Sequence, residues 1–143
     1  MKRYLAVVGL FLLLAAGAVA ASNSYSSKVP SFPKTLTNAR YVYVASYDGD
    51  QFNPNLLSDD RVAIANVQDA LRQWGRYVIV YRPQDADMIL VVQSRPTEDV
   101  LAVYDAHVPG SNYLWRVMGR DGLQKGETPL ISQLQQAVEI ASK

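Results

Sequence analysis

One apolar stripe does most to limit what this chain can fold into. Ile64, Val67, Leu71 and Trp74 recur at spacings of three, four and three, which lines them up along one side of an α-helix. Ser58 stands ahead of them as an N-cap. Asp59 and Asp60 follow in the first turn, where carboxylates suit the helix dipole, and Gly75 takes the place just past the end. The pattern predicts a helix over 59–74. A helix with a single apolar stripe must lay that stripe on something, and the short valine-rich runs around it point to a sheet.

Those runs read as strands. In RYVYVASY, residues 40–47, Val42 and Val44 fall on one face and Tyr41, Tyr43 and Tyr47 on the other, and Asp48-Gly49-Asp50 ends the run. RYVIVYR, residues 76–82, is a strand stopped by Pro83. DMILVVQ, residues 87–93, is apolar throughout, which predicts a strand covered on both sides. VLAVYD, residues 100–105, and YLWRVMG, residues 113–119, make a hairpin around the turn Pro109-Gly110-Ser111-Asn112. Last, Thr128 caps a helix with Pro129 in its first position, and Leu130, Leu134, Ala137, Val138 and Ala141 form its apolar face. The order strand, helix, four strands, helix gives an α+β fold. It is a two-layer sandwich with a mixed, mostly antiparallel five-stranded sheet and both helices on one face. The first strand and the strand after the helix form a crossover unit and can be parallel and right-handed.

The two ends of the composition narrow the setting. Lys2 and Arg3 precede an apolar run from Leu5 to Ala16, and Ala18-Val19-Ala20 offers small residues to a signal peptidase. Residues 1–20 therefore read as a signal peptide cut at Ala20/Ala21, with Ala21/Ser22 as the neighbouring alternative. The competing reading is a membrane anchor, but the apolar stretch of about 17 residues sits at the short limit for a span. The expected product is soluble and periplasmic or secreted, without a stable membrane anchor. Residues 21–38, rich in Ser and Asn with Pro30 and Pro33, read as a flexible or extended lead-in, and 39–143 as a single domain. The chain has no cysteine and one histidine, His107, so disulfides, cysteine-built zinc sites and multi-histidine metal sites are excluded. No cofactor is implied. Losing Lys2 and Arg3 from the 14 basic side chains leaves one fewer than the 13 acidic ones, with no basic cluster, which argues against nucleic acid as a partner.

Several of these stretches together carry a resemblance. A helix ending LRQWGRY, a strand VIVYRP, then ADMILVV, then a hairpin with VYDA and LWRV resembles a group of small secreted bacterial proteins of unknown function. More loosely, residues 39–142 are similar to the periplasmic α/β domain of envelope accessory lipoproteins, of the curli-export, penicillin-binding-protein-activator and transport-auxiliary kinds. In such domains a strand carrying Asp pairs with one carrying Trp-Arg, here Asp105, Trp115 and Arg116. The resemblance implies no catalytic residues; a non-enzymatic accessory role is the expectation from the leader, the lack of a catalytic constellation in the sequence and the aromatic pattern. This chain lacks the cysteine that anchors those lipoproteins, so the anchoring does not carry over.

Four polar groupings invite chemistry. Asp48, Asp50, Asn53, Asn55, Asp59 and Asp60 make the densest oxygen cluster, but neither glycine nor glutamate falls where a calcium loop needs it, and a turn plus helix-start charges is the plainer reading. Asp105 and His107 lie two apart at a strand end and could act as a general base beside Ser111, which makes a small hydrolase the alternative to a binding role. No G-x-S-x-G elbow accompanies them. Asp105 and Arg116 could form a cross-strand ion pair. Glu98-Asp99 reads as a charged loop.

The strongest functional signal is aromatic. Tyr41, Tyr43 and Tyr47 share a face of the first strand, and Tyr77 and Tyr81 share a face of the second. Tyr104 and Trp115, with Tyr113, could join them, while Val42, Val44, Val78 and Val80 pack under the helices. Tyr and Trp bring contact area with a polar tip, so a Tyr-rich open sheet face suits an envelope protein, a second copy of the chain or, by stacking on sugar rings, cell-wall glycan.

Overall fold

The computed structural model describes residues 29–126 and 128–143. The expected signal peptide, and the lead-in as far as residue 28, lie outside the described residues. The elements are β1 (Tyr41–Ser46), α1 (Ser58–Trp74), β2 (Val78–Val80), β3 (Met88–Ser94), β4 (Asp99–Asp105), β5 (Trp115–Gly119) and α2 (Pro129–Ala141). The fold is the expected α+β sandwich. The sheet order is β2-β1-β3-β4-β5, with β1 parallel to both β2 and β3 and with antiparallel pairings β3–β4 and β4–β5.

Both helices lie on one face. Ile64, Val67 and Leu71 of α1 and Leu130, Ile131, Leu134 and Val138 of α2 are buried against Val42, Val44, Met88, Leu90, Val92, Leu101 and Val103 of the sheet. α1 ends as its sequence predicts. Gly75 adopts φ 74°, and its N–H donates to the Leu71 carbonyl at 3.0 Å, a conformation that costs glycine nothing. Its start differs by one residue. The Leu57 carbonyl accepts the first helical bond, from the Arg61 N–H at 3.0 Å, so Leu57 is the N-cap and Ser58 already belongs to the helix. α2 starts with Thr128 at its N-cap and Pro129 behind it, as expected.

Residues 29–38 are a correction. Composition read them as a flexible lead-in, yet Phe32 and Leu36 are each only 4% exposed and join the core, and Lys34–Leu36 forms a 3₁₀ turn. The Trp115 indole N–H donates to the Pro30 carbonyl at 2.8 Å. Two large apolar side chains four residues apart are enough to seat a polar, proline-containing segment once a groove exists to receive them.

β3 is the second correction. Met88, Leu90 and Val92 are fully buried beneath the helices, but Ile89 and Val91, on the opposite face, are only half-buried. The strand is central in a two-layer fold, so its continuous apolar run reflects one buried face and one face sheltered only by neighbouring side chains and loops.

Candidate functional site: the uncovered face of the sheet

Strand registers decide which side chains share the face away from the helices. Tyr43, Ile89 and Tyr104 lie side by side across β1, β3 and β4. The next row runs Ala45, Val91, Ala102, Arg116. Alanine on both sides of Val91 keeps this row low, and the phenol rings of the row before stand above it. No helix covers this face among the described residues.

Two loops rise beside it. The connection from β2 to β3 forms a 3₁₀ turn, Pro83–Asp85, and brings Pro83 and Gln84 to one side. The β4–β5 connection brings Val108, Pro109, Gly110 and Ser111 to the other. Between them is a cleft of about 570 Å³ floored by Ile89 and Val91, with Tyr47 and Tyr104 on its rim. Most of its surface is apolar. Its polar side chains are the two phenols, Ser46, Gln84, Asp105 and Ser111, and the Ser111 hydroxyl is buried with no hydrogen-bond partner.

Two phenols of this face, Tyr43 and Tyr104, are held in their neutral form. Burial, then the neighbouring Tyr47 hydroxyl, pushes Tyr104 up to about 12. Burial also pushes Tyr43 up to about 12, helped by Asp50, whose carboxylate accepts the Tyr43 hydroxyl at 2.8 Å. Both side chains therefore remain hydroxyl donors far above neutral pH.

The predicted aromatic face is only partly assembled. Tyr41, Tyr43, Tyr47 and Tyr104 lie on the uncovered side. Tyr77, Tyr81 and Trp115 do not. β2 pairs Val42 with Ile79, which turns Ile79 toward the helices and puts Val78 and Val80 on the open face, the reverse of the expected assignment. Tyr77 follows Ile79 in alternation, is 6% exposed and packs edge-on against Trp74 at 5.2 Å. Tyr81 lies just past the strand, where its hydroxyl accepts from Arg72 of α1 at 3.2 Å and its ring meets Phe52 edge-on at 6.3 Å. Trp115 pairs with core residue Val103 and is 1% exposed. In a strand of three residues, alternation alone leaves the choice of face open. The position of Tyr77, two residues after the helix-ending glycine, was the available signal, because a chain leaving α1 there turns straight back under it.

The polar groupings resolve into structural roles. Asp87, not Asp105, faces the His107 ring, with its carboxylate 3.4 Å from Nε2. The Asp105 carboxylate accepts instead the His107 backbone N–H at 2.8 Å. The other Asp87 oxygen accepts the backbone N–H groups of Arg40 at 2.9 Å and Tyr41 at 3.0 Å. Those backbone donors, with His107 as a smaller contribution, hold the Asp87 carboxyl below the usual carboxylate range. Ser111 makes no bond to His107, so the three residues form no nucleophile–base line.

The Asp105–Arg116 ion pair does not form. Asp105 pairs with Met88 on the helix-facing register, whereas Arg116 pairs with Ala102 on the open one and lies over the Tyr113 ring at 5.7 Å. Asp99 is part of β4 and buried at 4% exposure, accepting from the Ser94 hydroxyl at 2.8 Å and the Leu123 N–H at 2.9 Å. Asp60 is fully buried, and one of its oxygens accepts from the Ser94 N–H at 2.8 Å and from Arg95 at 2.9 Å. Asp48 and Asp50 belong to a turn around Gly49, whose φ is 131° and where a Cβ would fall 2.7 Å from the Asn53 side chain. Among the described residues, no group of acidic and histidine side chains is arranged to hold a metal ion.

No protein-family model matches this chain. No curated protein and no solved structure matches it either. The cleft therefore has to be read from its own chemistry. It presents an apolar floor of Ile89 and Val91 with the Tyr47 and Tyr104 hydroxyls on its rim.

Proposed function

We propose that this protein is a non-enzymatic accessory domain, periplasmic or secreted, that binds an envelope protein through the uncovered sheet face. The observation that carries the reading is the cleft of about 570 Å³, floored by Ile89 and Val91 and bordered by Tyr47 and Tyr104. An apolar floor with a few hydroxyl donors around it suits an extended polypeptide that buries one or two apolar side chains. A glycan site would need a denser set of amide and carboxylate partners than Ser46, Gln84, Asp105 and Ser111 provide. The basic start and apolar run of residues 2–16 support the compartment.

The test is site-specific photo-crosslinking in the native cell envelope. A photoreactive residue at Gln84, on the cleft wall, is expected to give a discrete protein adduct. The same residue at Val62, exposed on α1, is expected to give none. Val91→Asp, placed on the floor, should remove the Gln84 adduct while circular dichroism stays unchanged. Adducts of equal strength at both sites, or label that stays with purified cell-wall sacculi instead of protein, would refute the polypeptide reading.

A further inference from the structure

A half-buried guanidinium stands beside the cleft without a counter-charge. Arg116 projects from β5 in the same row as Val91 of the cleft floor, two strands away, with Ala102 between them. Its guanidinium lies over the Tyr113 ring at 5.7 Å, and Tyr113 follows Ser111 of the cleft wall by two residues. Tyr104, on the cleft rim, is the diagonal neighbour of Arg116 on β4, and the Arg116 charge acts on its phenol. Among the described residues Arg116 takes part in no ion pair, and its Nε is buried without a hydrogen-bond partner. Residues 1–28 contain no Asp or Glu to supply a counter-charge. Glu127, the one acidic residue outside the described set, directly precedes Thr128, the N-cap of the helix on the other face of the sheet. A charged donor left unmet is costly, and a guanidinium with a ring against one face still presents at its edge the fork that fits a carboxylate.

We propose that the polypeptide bound in the cleft carries an acidic side chain that pairs with Arg116, two or three residues along from the apolar side chain seated on Ile89 and Val91. This inference rests on the cleft reading and adds the chemistry of the occupant. Charge complementarity argues for the acid. The sheet sets the spacing. Two strand spacings, about 9–10 Å, separate Val91 from Arg116, and an extended segment laid across the strands advances about 3.3 Å per residue. Two or three residues therefore carry a segment from the floor to the guanidinium.

The test is selection from a random peptide library displayed on phage, against the protein as the cell processes it. The wild type is expected to enrich peptides with Asp or Glu two or three residues from a large apolar residue. Arg116→Glu should enrich Lys or Arg at that place instead, and Val91→Asp, on the cleft floor, should enrich neither; circular dichroism checks that each variant is folded. A selected peptide, followed by fluorescence anisotropy, should bind Arg116→Gln about tenfold more weakly. Replacing its acid by the corresponding amide should cost the wild type about the same factor, with no further loss when both changes are combined. Arg116→Lys keeps the charge but not the fork and should lose about threefold. If the wild type and Arg116→Glu enrich the same apolar motif without an acid, or if the two losses multiply, Arg116 does not read the occupant and this inference fails. The cleft reading then still stands, provided that Val91→Asp abolishes selection. Enrichment that survives Val91→Asp, or none by the wild type, overturns the cleft reading and this inference with it.

Discussion

Replacing Asp99 by Ala is the sharpest test of how this fold is held together. The side chain links three segments: β4, which carries it, the end of β3 through the Ser94 hydroxyl, and the connection to α2 through the Leu123 N–H. Leu123 is 2% exposed, so its amide cannot turn to water once the carboxylate is gone. A charge-assisted bond to a buried donor contributes about 1.5–3 kcal/mol. Ser94 is half-buried and can recruit water, so its bond adds about 0.5–1 kcal/mol. Together they predict that Asp99→Ala destabilises by about 2–4 kcal/mol. For a domain of this size that lowers Tm by about 8–16 °C. Asp99→Asn separates geometry from charge. Its amide oxygen still accepts from Leu123 and its amine can donate to Ser94, so the expected cost is about 1 kcal/mol or less. Glu98→Ala, one residue away and exposed, should change stability by no more than about 0.5 kcal/mol. Urea unfolding of the four proteins, with unchanged m-values, measures all of this. A cost under about 1 kcal/mol for Asp99→Ala, or equal costs for Ala and Asn, would refute the reasoning, because the buried Leu123 amide would then have another partner.

Three further outcomes are expected. Trp115→Phe keeps most of the buried ring but deletes the bond to the Pro30 carbonyl; it should cost about 1–2 kcal/mol and speed amide exchange around residues 31–36, and unchanged exchange there would show that Phe32 and Leu36 hold the segment alone. Tyr43 and Tyr104 favour the neutral phenol in the folded protein, so their stabilisation is complete below the unfolded value near 10 and is lost as pH rises toward about 12. Alkaline unfolding should therefore steepen over that interval and flatten in the Tyr43→Phe, Tyr104→Phe double variant; identical slopes would count against the buried hydroxyls. On the acid side, Asp87 has a lowered folded value, so its contribution is present above the ordinary carboxylate range and fades as pH falls through that range and below it. Asp87→Asn should make acid unfolding less steep, as followed by far-ultraviolet circular dichroism.

Where periodicity extended over several turns or strand residues, the sequence spoke clearly. The stripe Ile64, Val67, Leu71, Trp74 and its closing Gly75 specify α1, and the Val42–Val44 alternation specifies which way β1 faces. The hairpin of β4 and β5 follows from two apolar runs and a Pro-Gly turn. Legibility fails where few residues carry the signal or where a distant partner decides. β2 has three residues, and its face is set by pairing Val42 with Ile79, which left Tyr77 and Tyr81 misassigned. Trp115 looks like a surface aromatic beside Tyr113 until its register with Val103 is known. The cleft was half legible. Tyr47 and Tyr104 announce it, but its floor of Ile89 and Val91 was hidden inside an apolar run that reads as doubly buried, and its walls come from loops whose placement no periodicity encodes.

The position of β1 has a consequence for how the chain comes to be folded. β1 is the first strand among the described residues, yet it lies inside the sheet, with β2 on one side and β3 on the other. Its first backbone amides are held by Asp87, more than forty residues later. On a chain delivered N-terminus first, Val42 and Val44 emerge long before the strand that seals them. The half-made protein therefore carries an apolar strand with both edges open, the state most prone to pair with the wrong chain. Closure has to wait for a late segment to return to an early one, so folding of this domain should be governed by completion of the polypeptide rather than by its first helix.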